Sequence, residues 1–353
     1  MKIGLCTGGG DCPGLNAAIR AIVKHAIGTY GMEVIGIKDS FNGLESRPYG
    51  VRTLGLNDVS EILNRGGTIL GTTNAGDPFK SDPTQADRIK EAYNDLGLDG
   101  IVVIGGDGTQ SISGKLHKMG VKCIGVPKTI DNDLAATDVS IGFQTSVDIA
   151  TDAISRLKST AESHERVMVL ELMGRDAGHI AIHSGIAGGA NTILVPEIPF
   201  SYEAITKKIK DRQQLGRRFS IVVVSEGAYE QGTSQQYKEP STTKVTNNRH
   251  LGGIGAEVAD KLFHLTGSDT RITVLGHVQR GGSPDPYDRV LASCLGTYAV
   301  DLVKQERYGV VVGIKKGAVT ETPYEEVIDV TLPLKPDSIY IKTAEALGIC
   351  LGR

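Results

Sequence analysis

Short apolar runs alternate with stretches of helical period along nearly the whole chain, and this alternation constrains the fold more than any other feature. The runs are continuously apolar and rich in β-branched residues, which favours buried strands of a parallel sheet. We predict strands at 2–6, 33–37, 100–106, 122–127, 167–172, 192–197, 220–227 and 273–277. Helices are predicted between them, for example at 15–27, 148–162 and 203–215. Strands that alternate with helices predict a doubly wound α/β architecture, in which ligands bind at the carboxyl ends of strands.

Length and composition narrow the class of protein. The 353 residues suffice for two α/β domains, and the net charge of −3 argues against nucleic acid as the main partner. No apolar run approaches the roughly 18 residues of a membrane span. The first residues enter a strand-like run without a signal-peptide pattern, so we expect a cytoplasmic location. The five cysteines form neither a CxxC pair nor a metal-ligating spacing with histidine, and we interpret them as reduced structural thiols.

Two glycine-rich loops directly follow predicted strands. In "GGGDCPGLN" (8–16), three glycines leave backbone amides unobstructed and Pro13 favours a helix start, which suits an anion. A tight turn between a strand and a helix is the alternative interpretation of this segment. The spacing of its glycines matches neither the Walker loop nor the dinucleotide fingerprint. In "GGDGT" (105–109), a carboxylate after two glycines can hold Mg²⁺, and Gly108 leaves room for a phosphate to approach the backbone.

The segment "PKTIDND" (127–133) gathers groups that suit phosphoryl transfer. Lys128 can neutralise phosphoryl oxygens, and the Thr129 hydroxyl can hold a substrate or phosphate oxygen. One of the carboxylates of Asp131 and Asp133 can accept a proton from an attacking alcohol, while the other assists a metal or orients the first. A solvated acidic turn is the alternative interpretation.

Further along the chain, two blocks combine a predicted strand with cationic side chains. These side chains are Arg166 and Arg175 in block 163–179, and Arg271, His277 and Arg280 in block 270–289. Arginines at strand ends bind phosphate through bidentate hydrogen bonds. A lone arginine or histidine is more often a surface or structural group, so the prediction depends on their clustering.

Taken together, these motifs resemble the 6-phosphofructokinase family. The segments "GGDCPGLNAAIR", "GGDGT", "PKTIDND", "MGRDAGH" and "LGHVQRGGSPDPYDR" occur in the family's order along nearly the whole chain. The resemblance implies phosphorylation of fructose 6-phosphate at its 1-hydroxyl, with ATP as donor and Mg²⁺ as cofactor, giving fructose 1,6-bisphosphate in glycolysis. It also implies a homotetramer or dimer with sites shared between subunits, and neither a nucleic-acid nor a membrane partner.

The same resemblance implies roles for individual residues. Asp131 is expected to be the general base, with Asp133 near the metal, Thr129 at the reacting region and Arg175 stabilising the transferring phosphoryl group. The expected sugar-phosphate site comprises Thr129, Asp131, Arg166, Met173, Gly174, Arg175, Glu226, Arg271, His277 and Arg280, with Arg166 and Arg271 reaching in from the adjacent subunit. The expected donor site comprises Gly10, Phe41, Asn74, Asp107, Gly108, Thr109 and Lys128, with Asp107 as the metal ligand.

Two doubly wound α/β domains with mainly parallel sheets are expected on this basis. The donor-binding domain is predicted at 1–142 plus 279–305, and the sugar-phosphate-binding domain at 143–278 plus 306–330, with a C-terminal segment at 331–353. Residues 229–250 are polar, rich in Ser and Thr and without period, and we predict an exposed, mobile insertion there.

The identity of the phosphoryl donor depends on three positions. Gly108 leaves room for the α-phosphate and ribose of ATP, where pyrophosphate-dependent members of the family have an aspartate. Lys128 is typical of pyrophosphate-dependent and mixed-type members, and Asn74 stands where the family usually has a donor-binding arginine. We predict ATP as donor, with pyrophosphate as the alternative.

Two further classes of protein are alternatives to a catalytic phosphofructokinase. An NAD kinase or lipid kinase would share "GGDGT" but has no use for "PKTIDND" together with "HVQRGGSP". A non-catalytic regulatory subunit of the same fold would be expected to lose the base, the metal-binding acid or the sugar-phosphate arginines, and all of these are present.

Overall fold

The computed structural model describes residues 1–74, 76–80, 82, 84–235 and 252–353, and the chain forms two compact units. The first unit comprises Met1–Thr145 and Arg280–Thr331, and the second comprises Ser146–Gln279 and Leu332–Arg353. Among the helices of the described residues, none has both the length and the apolar character that a bilayer crossing requires.

The secondary structure alternates between strands and helices, as predicted. The strands are β1 Lys2–Gly8, β2 Glu33–Ile37, β3 Val51–Leu54, β4 Gly100–Gly105, β5 Cys123–Pro127, β6 Val167–Leu172, β7 Thr192–Leu194, β8 Ser220–Ser225, β9 Thr270–Val274, β10 Val310–Lys315 and β11 Ala318–Pro323. The helices are α1 Leu15–Tyr30, α2 Asn42–Glu45, α3 Gln85–Asp95, α4 Asp107–Lys118, α5 Phe143–His164, α6 His179–Gly188, α7 Tyr202–Gln214, α8 Ile254–Thr266, α9 Pro286–Lys304, α10 Tyr324–Val327 and α11 Ile339–Ala346. Short 3₁₀ helices occupy Asn57–Val59 and Gly276–Arg280.

The first unit is built on a sheet that has, in the described residues, seven strands in the order β11-β10-β5-β4-β1-β2-β3. The chain adds β2 on one side of β1 and then returns to add β4 on the other side, both parallel to β1. The direction of winding therefore reverses between β1 and β4. Gly8 at the end of β1 lies opposite Gly105 at the end of β4. The two glycine-rich loops thus begin side by side at a topological switch point, where open α/β sheets bind ligands.

The second unit is built on a parallel sheet that has, in the part of the chain described, four strands in the order β7-β8-β6-β9. Its core is formed by valines of β6 and β8 that pack against apolar residues of α7 and α8, including Ile205 and Val258. Leu172 at the end of β6 lies opposite Ser225 at the end of β8, so the loops that follow these strands leave the same edge of the sheet.

The predicted α/β class with mainly parallel sheets is confirmed, but several boundaries need correction. The segment 306–330 was assigned to the second domain, whereas β10 extends the first unit's sheet beside β5, with Val311 and Val312 fully buried. The strand predicted at 273–277 lies at Thr270–Val274, shifted because its polar first residues take part in the pairing with β6. Strands β3, β10 and β11 were not predicted.

The C-terminal residues belong to the second unit, and they were predicted as a separate segment. Cys350 forms a bridge with Thr192 of β7, and Leu334 donates its amide to Glu197. Of the predicted insertion at 229–250, residues 229–235 are described and the remainder lies outside the described residues. The backbone carbonyl of Tyr229 accepts a hydrogen bond from the Phe200 amide at 3.0 Å.

Candidate active site

The loop after β1 turns into α1 at Gly14, and its backbone requires glycine at two positions. Gly9 (φ 77°) and Gly14 (φ 104°) both adopt the left-handed conformation. The Gly9 amide donates to the Thr73 carbonyl at 3.1 Å, and the Thr72 hydroxyl donates to the Gly9 carbonyl at 2.5 Å. Thr72 and Thr73, which directly precede Asn74, therefore lie beside this loop.

The loop after β4 passes directly into α4, of which Asp107 is the first residue. A Cβ atom at Gly108 would meet no atom of the described residues within 4 Å, so the first turn of α4 has open space beside it. Thr109, in contrast, is buried, and its side chain fills the space where a Cβ at Gly8 or Gly105 would lie. Thr109 therefore packs the two loops together, whereas Gly108 leaves room for a ligand.

Two cationic side chains contact the backbone of the loop after β1. Lys128 is only 3% exposed, and its Nζ donates to the Gly10 carbonyl. The Arg280 Nη1 donates to the Asp11 carbonyl at 3.1 Å. A Cβ at Gly10 would lie 2.6 Å from the same arginine nitrogen, so a side chain there would displace the Arg280 guanidinium group. Two cations at one loop raise the local concentration of an anionic ligand.

The charge state of Lys128 is sensitive to its surroundings. Burial lowers the pKa of Lys128, and the neighbouring Arg280 cation lowers it as well, whereas the negative charges of Asp11 and Asp131 oppose this shift. Because an opposite charge favours the charged form of a lysine, a phosphate group at the loop would raise the pKa of Lys128 again. A bound anion and the positive charge of Lys128 would therefore stabilise each other.

The segment 127–133 continues from β5, which pairs with β4 up to the last residue of both strands. The segment contacts residues further along the chain, because the Thr129 amide donates to the Ile141 carbonyl at 3.2 Å. The Asp131 amide donates to the Thr129 hydroxyl at 3.2 Å. Asp131 and Asp133 are both half-buried. The structure therefore brings this acidic segment to the same edge of the sheet as the two glycine-rich loops.

Asp107 is the candidate Mg²⁺ ligand, and the chemistry of its surroundings fits that ion. Within the described residues there is no cluster of three or more His, Cys, Asp or Glu side chains suited to holding a metal. Mg²⁺ does not need such a cluster, because it is usually bound through one or two carboxylates and takes its other ligands from water and substrate phosphates. A half-buried carboxylate beside the open space at Gly108 meets that requirement.

In the second unit, several predicted sugar-phosphate residues follow the carboxyl ends of neighbouring strands. Met173, Gly174 and Arg175 follow β6, and Glu226 follows β8. Gly174 has a φ of 128°, and its carbonyl accepts a hydrogen bond from the Ser225 hydroxyl at 2.6 Å. The Glu226 amide donates to the Leu172 carbonyl at 2.8 Å. These bonds fix the two loops to each other, while the Arg175 side chain is exposed.

Arg166 and Arg271 lie at the opposite end of the same sheet. Arg166 immediately precedes β6, and Arg271 is the second residue of β9. Both guanidinium groups pair with Asp269, at 2.6 Å from Arg166 Nε and 2.5 Å from Arg271 Nη1. Within its own unit, neither arginine therefore reaches the edge where Met173 and Glu226 lie.

Comparison with known proteins decides the family. The family described as Phosphofructokinase matches residues 2–303. A relative from Synechocystis named ATP-dependent 6-phosphofructokinase 1 is 47% identical over 99% of this chain and 98% of its own length. A relative from Chloroflexus aurantiacus named ATP-dependent 6-phosphofructokinase is 49% identical over 100% of this chain and 98% of its own. The chain belongs to the phosphofructokinase family.

Other members of the family bear on the donor and on the fold. A relative from Amycolatopsis methanolica named pyrophosphate–fructose 6-phosphate 1-phosphotransferase is 47% identical over 89% of this chain and 91% of its own length. Among solved structures, Pichia pastoris phosphofructokinase in the T-state matches with a TM-score of 0.82 and 31% identity over 99% of this chain. This chain spans 37% of that longer chain.

Within the phosphofructokinase fold, the predicted site residues are placed in two groups. The first unit holds Gly10, Phe41, Asn74, Asp107, Gly108, Thr109, Lys128, Thr129, Asp131, Asp133 and Arg280, and the second holds Arg166, Met173, Gly174, Arg175, Glu226, Arg271 and His277. Phe41 is 4% exposed and belongs to a hydrophobic cluster with Cys6 and Leu44. It is a core residue of the first unit, and its contribution to a donor site remains a prediction.

Sequence reasoning missed two residues that hold predicted site residues in place. Asp269 pairs with both arginines at the amino end of the second sheet, and its position two residues before Arg271 was the available signal. Gln279 is fully buried, and its Oε1 accepts a hydrogen bond from the Met173 amide at 3.1 Å. A glutamine between Val278 and Arg280 gives no sign of burial in the sequence, so only the structure reveals its role.

Proposed function

We propose that this protein transfers the γ-phosphoryl group of ATP to the 1-hydroxyl of fructose 6-phosphate. Support comes from the family, from relatives at 47–49% identity named ATP-dependent 6-phosphofructokinase, and from the presence of the expected base, metal-binding acid and sugar-phosphate arginines. The observation that carries the donor assignment is the open space at Gly108, in the first turn of α4 at the switch point of the first sheet. A nucleotide has an α-phosphate and a ribose that need such space, and pyrophosphate has neither.

In the proposed reaction, Asp131 accepts the proton of the 1-hydroxyl as its oxygen attacks the γ-phosphorus. The bond between the γ-phosphorus and the bridging oxygen breaks in line with the attack, and ADP leaves with that oxygen. Phosphoryl transfer of this kind depends on positioning and on charge stabilisation rather than on covalent chemistry by the protein. Asp131 is half-buried, and its amide is tied to Thr129, which restricts the orientation of both residues.

The proposed donor site lies on the glycine-rich loops of the first unit. Lys128 supplies a cation for the donor phosphates, and Gly10 and Gly108 allow the backbone to come close to phosphate oxygens. Asp107 would hold Mg²⁺, assisted by Asp133 of the acidic segment. When bound, the ion would neutralise charge on the β- and γ-phosphates.

The proposed sugar-phosphate site uses Thr129, Met173, Gly174, Glu226, His277 and Arg280, with Arg175 stabilising the transferring group. Arg166 and Arg271 are proposed to serve the site of a neighbouring subunit in a homotetramer or dimer. Their position at the amino end of their own sheet supports this, because their own strand-end loops lie at the other edge. A cytoplasmic location is also proposed, since all five cysteines are free.

Pyrophosphate is the second candidate donor, because a relative of similar identity is named as pyrophosphate-dependent. The Lys128 ammonium group is buried against the Gly10 carbonyl, where it would neutralise a compact, highly charged donor. The Amycolatopsis relative named as pyrophosphate-dependent is as similar in identity as the Synechocystis relative. Lys128 serves either donor, whereas the space at Gly108 has a use only for the nucleotide.

The test is to identify the products made by the purified protein from fructose 6-phosphate and Mg·ATP. We expect ADP and fructose 1,6-bisphosphate in equal amounts, measured by phosphorus NMR, and no ADP when the sugar phosphate is omitted. ADP formation without a sugar bisphosphate would contradict the proposal. An Asp131→Asn preparation is the matched control for contaminating kinases.

A further inference from the structure

The loop that carries both acids closes on itself, and the residue between them makes side-chain hydrogen bonds across it. Residues 128–141 leave β5 and return to it, since the Ile141 amide donates to the Pro127 carbonyl at 3.3 Å. Asn132 lies between Asp131 and Asp133, at the turn of this loop.

Asn132 is in the left-handed region, with a φ of 55°. Most side chains resist this conformation, and asparagine tolerates it because its short amide can form local hydrogen bonds. The left-handed residue sets the direction in which the backbone leaves Asp131 and enters Asp133. The relative placement of the two acids therefore depends on the backbone of Asn132.

The Asn132 side chain ties the turn to the returning arm of the loop. Its Oδ1 accepts a hydrogen bond from the Ser140 amide at 2.8 Å, and its Nδ2 donates to the Asp138 carbonyl at 3.2 Å. Ser140 is fully buried, and its hydroxyl donates to the Thr129 carbonyl at 2.7 Å. A continuous chain of hydrogen bonds thus runs from Asn132 through Ser140 to Thr129, whose hydroxyl accepts from the Asp131 amide.

We propose that Asn132 and Ser140 are positioning residues that hold Asp131 in the orientation required for proton transfer. Neither residue needs to touch a substrate, because both act through the backbone of the acidic loop. This inference builds on the proposed function and adds the residues that position its base. The expected effect is on turnover rather than on binding, since a small displacement of a catalytic group can cost as much as a factor of about 100 in rate.

The test is Asn132→Gly, which permits the left-handed backbone but removes the amide. We expect kcat with fructose 6-phosphate and Mg·ATP to fall by about tenfold to a hundredfold, with both KM values within about twofold of wild type. Asn132→Ala should be worse, because alanine also resists a positive φ. Ser140→Ala should lower kcat less. The double variant should fall short of the product of the two single effects, because both residues act in one chain of contacts.

The matched control is Glu306→Gly. Glu306 is another non-glycine residue of the first unit with a left-handed backbone (φ 56°), and it lies after α9, outside the acidic loop. We expect this variant to keep wild-type kcat. Deuterium exchange of the peptide that covers 128–142 supplies a readout that does not depend on activity, and Asn132→Gly should accelerate exchange there while Glu306→Gly does not.

Each outcome separates the inference from the function it builds on. Wild-type protein that makes no fructose 1,6-bisphosphate would overturn both. Active wild type with kcat of Asn132→Gly within threefold of it would overturn the inference alone, as would unchanged deuterium exchange in 128–142. A rise in KM with kcat unchanged would make Asn132 a binding residue and would also contradict the proposal.

Discussion

The two glycine-rich loops of the first unit have similar sequences, "GGGD" after β1 and "GGDG" after β4, but the space beside their glycines differs. At Gly10, a Cβ would lie 2.6 Å from an Arg280 guanidinium nitrogen. At Gly108, a Cβ would meet no atom of the described residues within 4 Å. A side chain at the first glycine would displace the guanidinium group of Arg280, whereas a Cβ at the second would contact nothing in the described protein.

This difference separates packing from ligand binding in two loops that share one edge of a sheet. A side chain at position 10 should disturb Arg280 and therefore the loop itself. A side chain at position 108 should leave the fold intact and should change only which donor can enter. Substitutions at Gly10 and Gly108 test this distinction. Asp131, which lies outside both loops, provides the reference effect.

The largest effect is expected at Asp131, which lies in neither loop. Asp131→Asn should lower kcat by roughly 10² to 10⁴, the usual range for a positioned proton acceptor. The KM for fructose 6-phosphate should change little, because the lost group acts on the proton during transfer. Steady-state kinetics with each donor check this result. A variant within threefold of wild-type kcat would remove Asp131 from that role.

The next largest effect is expected at Gly108. Gly108→Asp should lower the ratio of kcat/KM for Mg·ATP to that for pyrophosphate by at least about tenfold, because a carboxylate would occupy the space and repel the α-phosphate. The control is Gly28→Asp, which also places an aspartate in open space, at an exposed position near the end of α1. If both variants changed the ratio equally, the space at Gly108 would have no special function.

Alanine at the two positions should have opposite effects on stability. Gly108→Ala should raise the free energy of unfolding by up to about 1 kcal/mol, because alanine favours a helix more than glycine does. Gly10→Ala should lower it by about 1–3 kcal/mol, since Arg280 must move and give up its bond to the Asp11 carbonyl. Thermal and urea unfolding measure both changes. Equal shifts at the two sites would remove the distinction between the loops.

The smallest effect is a dependence of stability on pH that originates at Lys128. Burial lowers the pKa of Lys128 in the folded protein, so the unfolded chain binds the proton more readily. Between the lowered pKa and the ordinary lysine value of about 10.4, the free energy of unfolding should therefore rise with pH. Wild type should gain stability relative to Lys128→Met as the pH is raised toward the ordinary lysine pKa of about 10.4. A constant difference in melting temperature would contradict this expectation.

The sequence predicted the strands that carry the site better than those at the edges of the sheets. Strands β2 and β6 match their predicted bounds, because continuous apolar runs such as "VMVLEL" are typical of buried parallel strands. Strands β3 and β11 were missed, since both are antiparallel edge strands with polar residues such as Thr53 and Glu321. The chain returns to its first sheet after α9, and apolar pattern alone cannot tell which sheet a late strand joins.

Part of the candidate site could also be located from the sequence, because buried strands are recognisable and ligand-binding residues follow them. Glycines and acids that directly follow a buried strand fall at its carboxyl end, so Gly108 and Asp131 could be placed from the sequence. Residues that act through other residues give no such signal. Asn132 stands out by its left-handed backbone and Gln279 by its burial, and neither property can be read from the sequence.

The most direct test of the proposed donor is a comparison of Mg·ATP and pyrophosphate with the unmodified protein under matched conditions. The open space at Gly108 predicts that kcat/KM for Mg·ATP exceeds that for pyrophosphate by at least about tenfold, a difference of roughly 1.4 kcal/mol in transition-state stabilisation. Both rates should be measured as fructose 1,6-bisphosphate formed, with saturating fructose 6-phosphate. Equal or faster turnover with pyrophosphate would contradict the account.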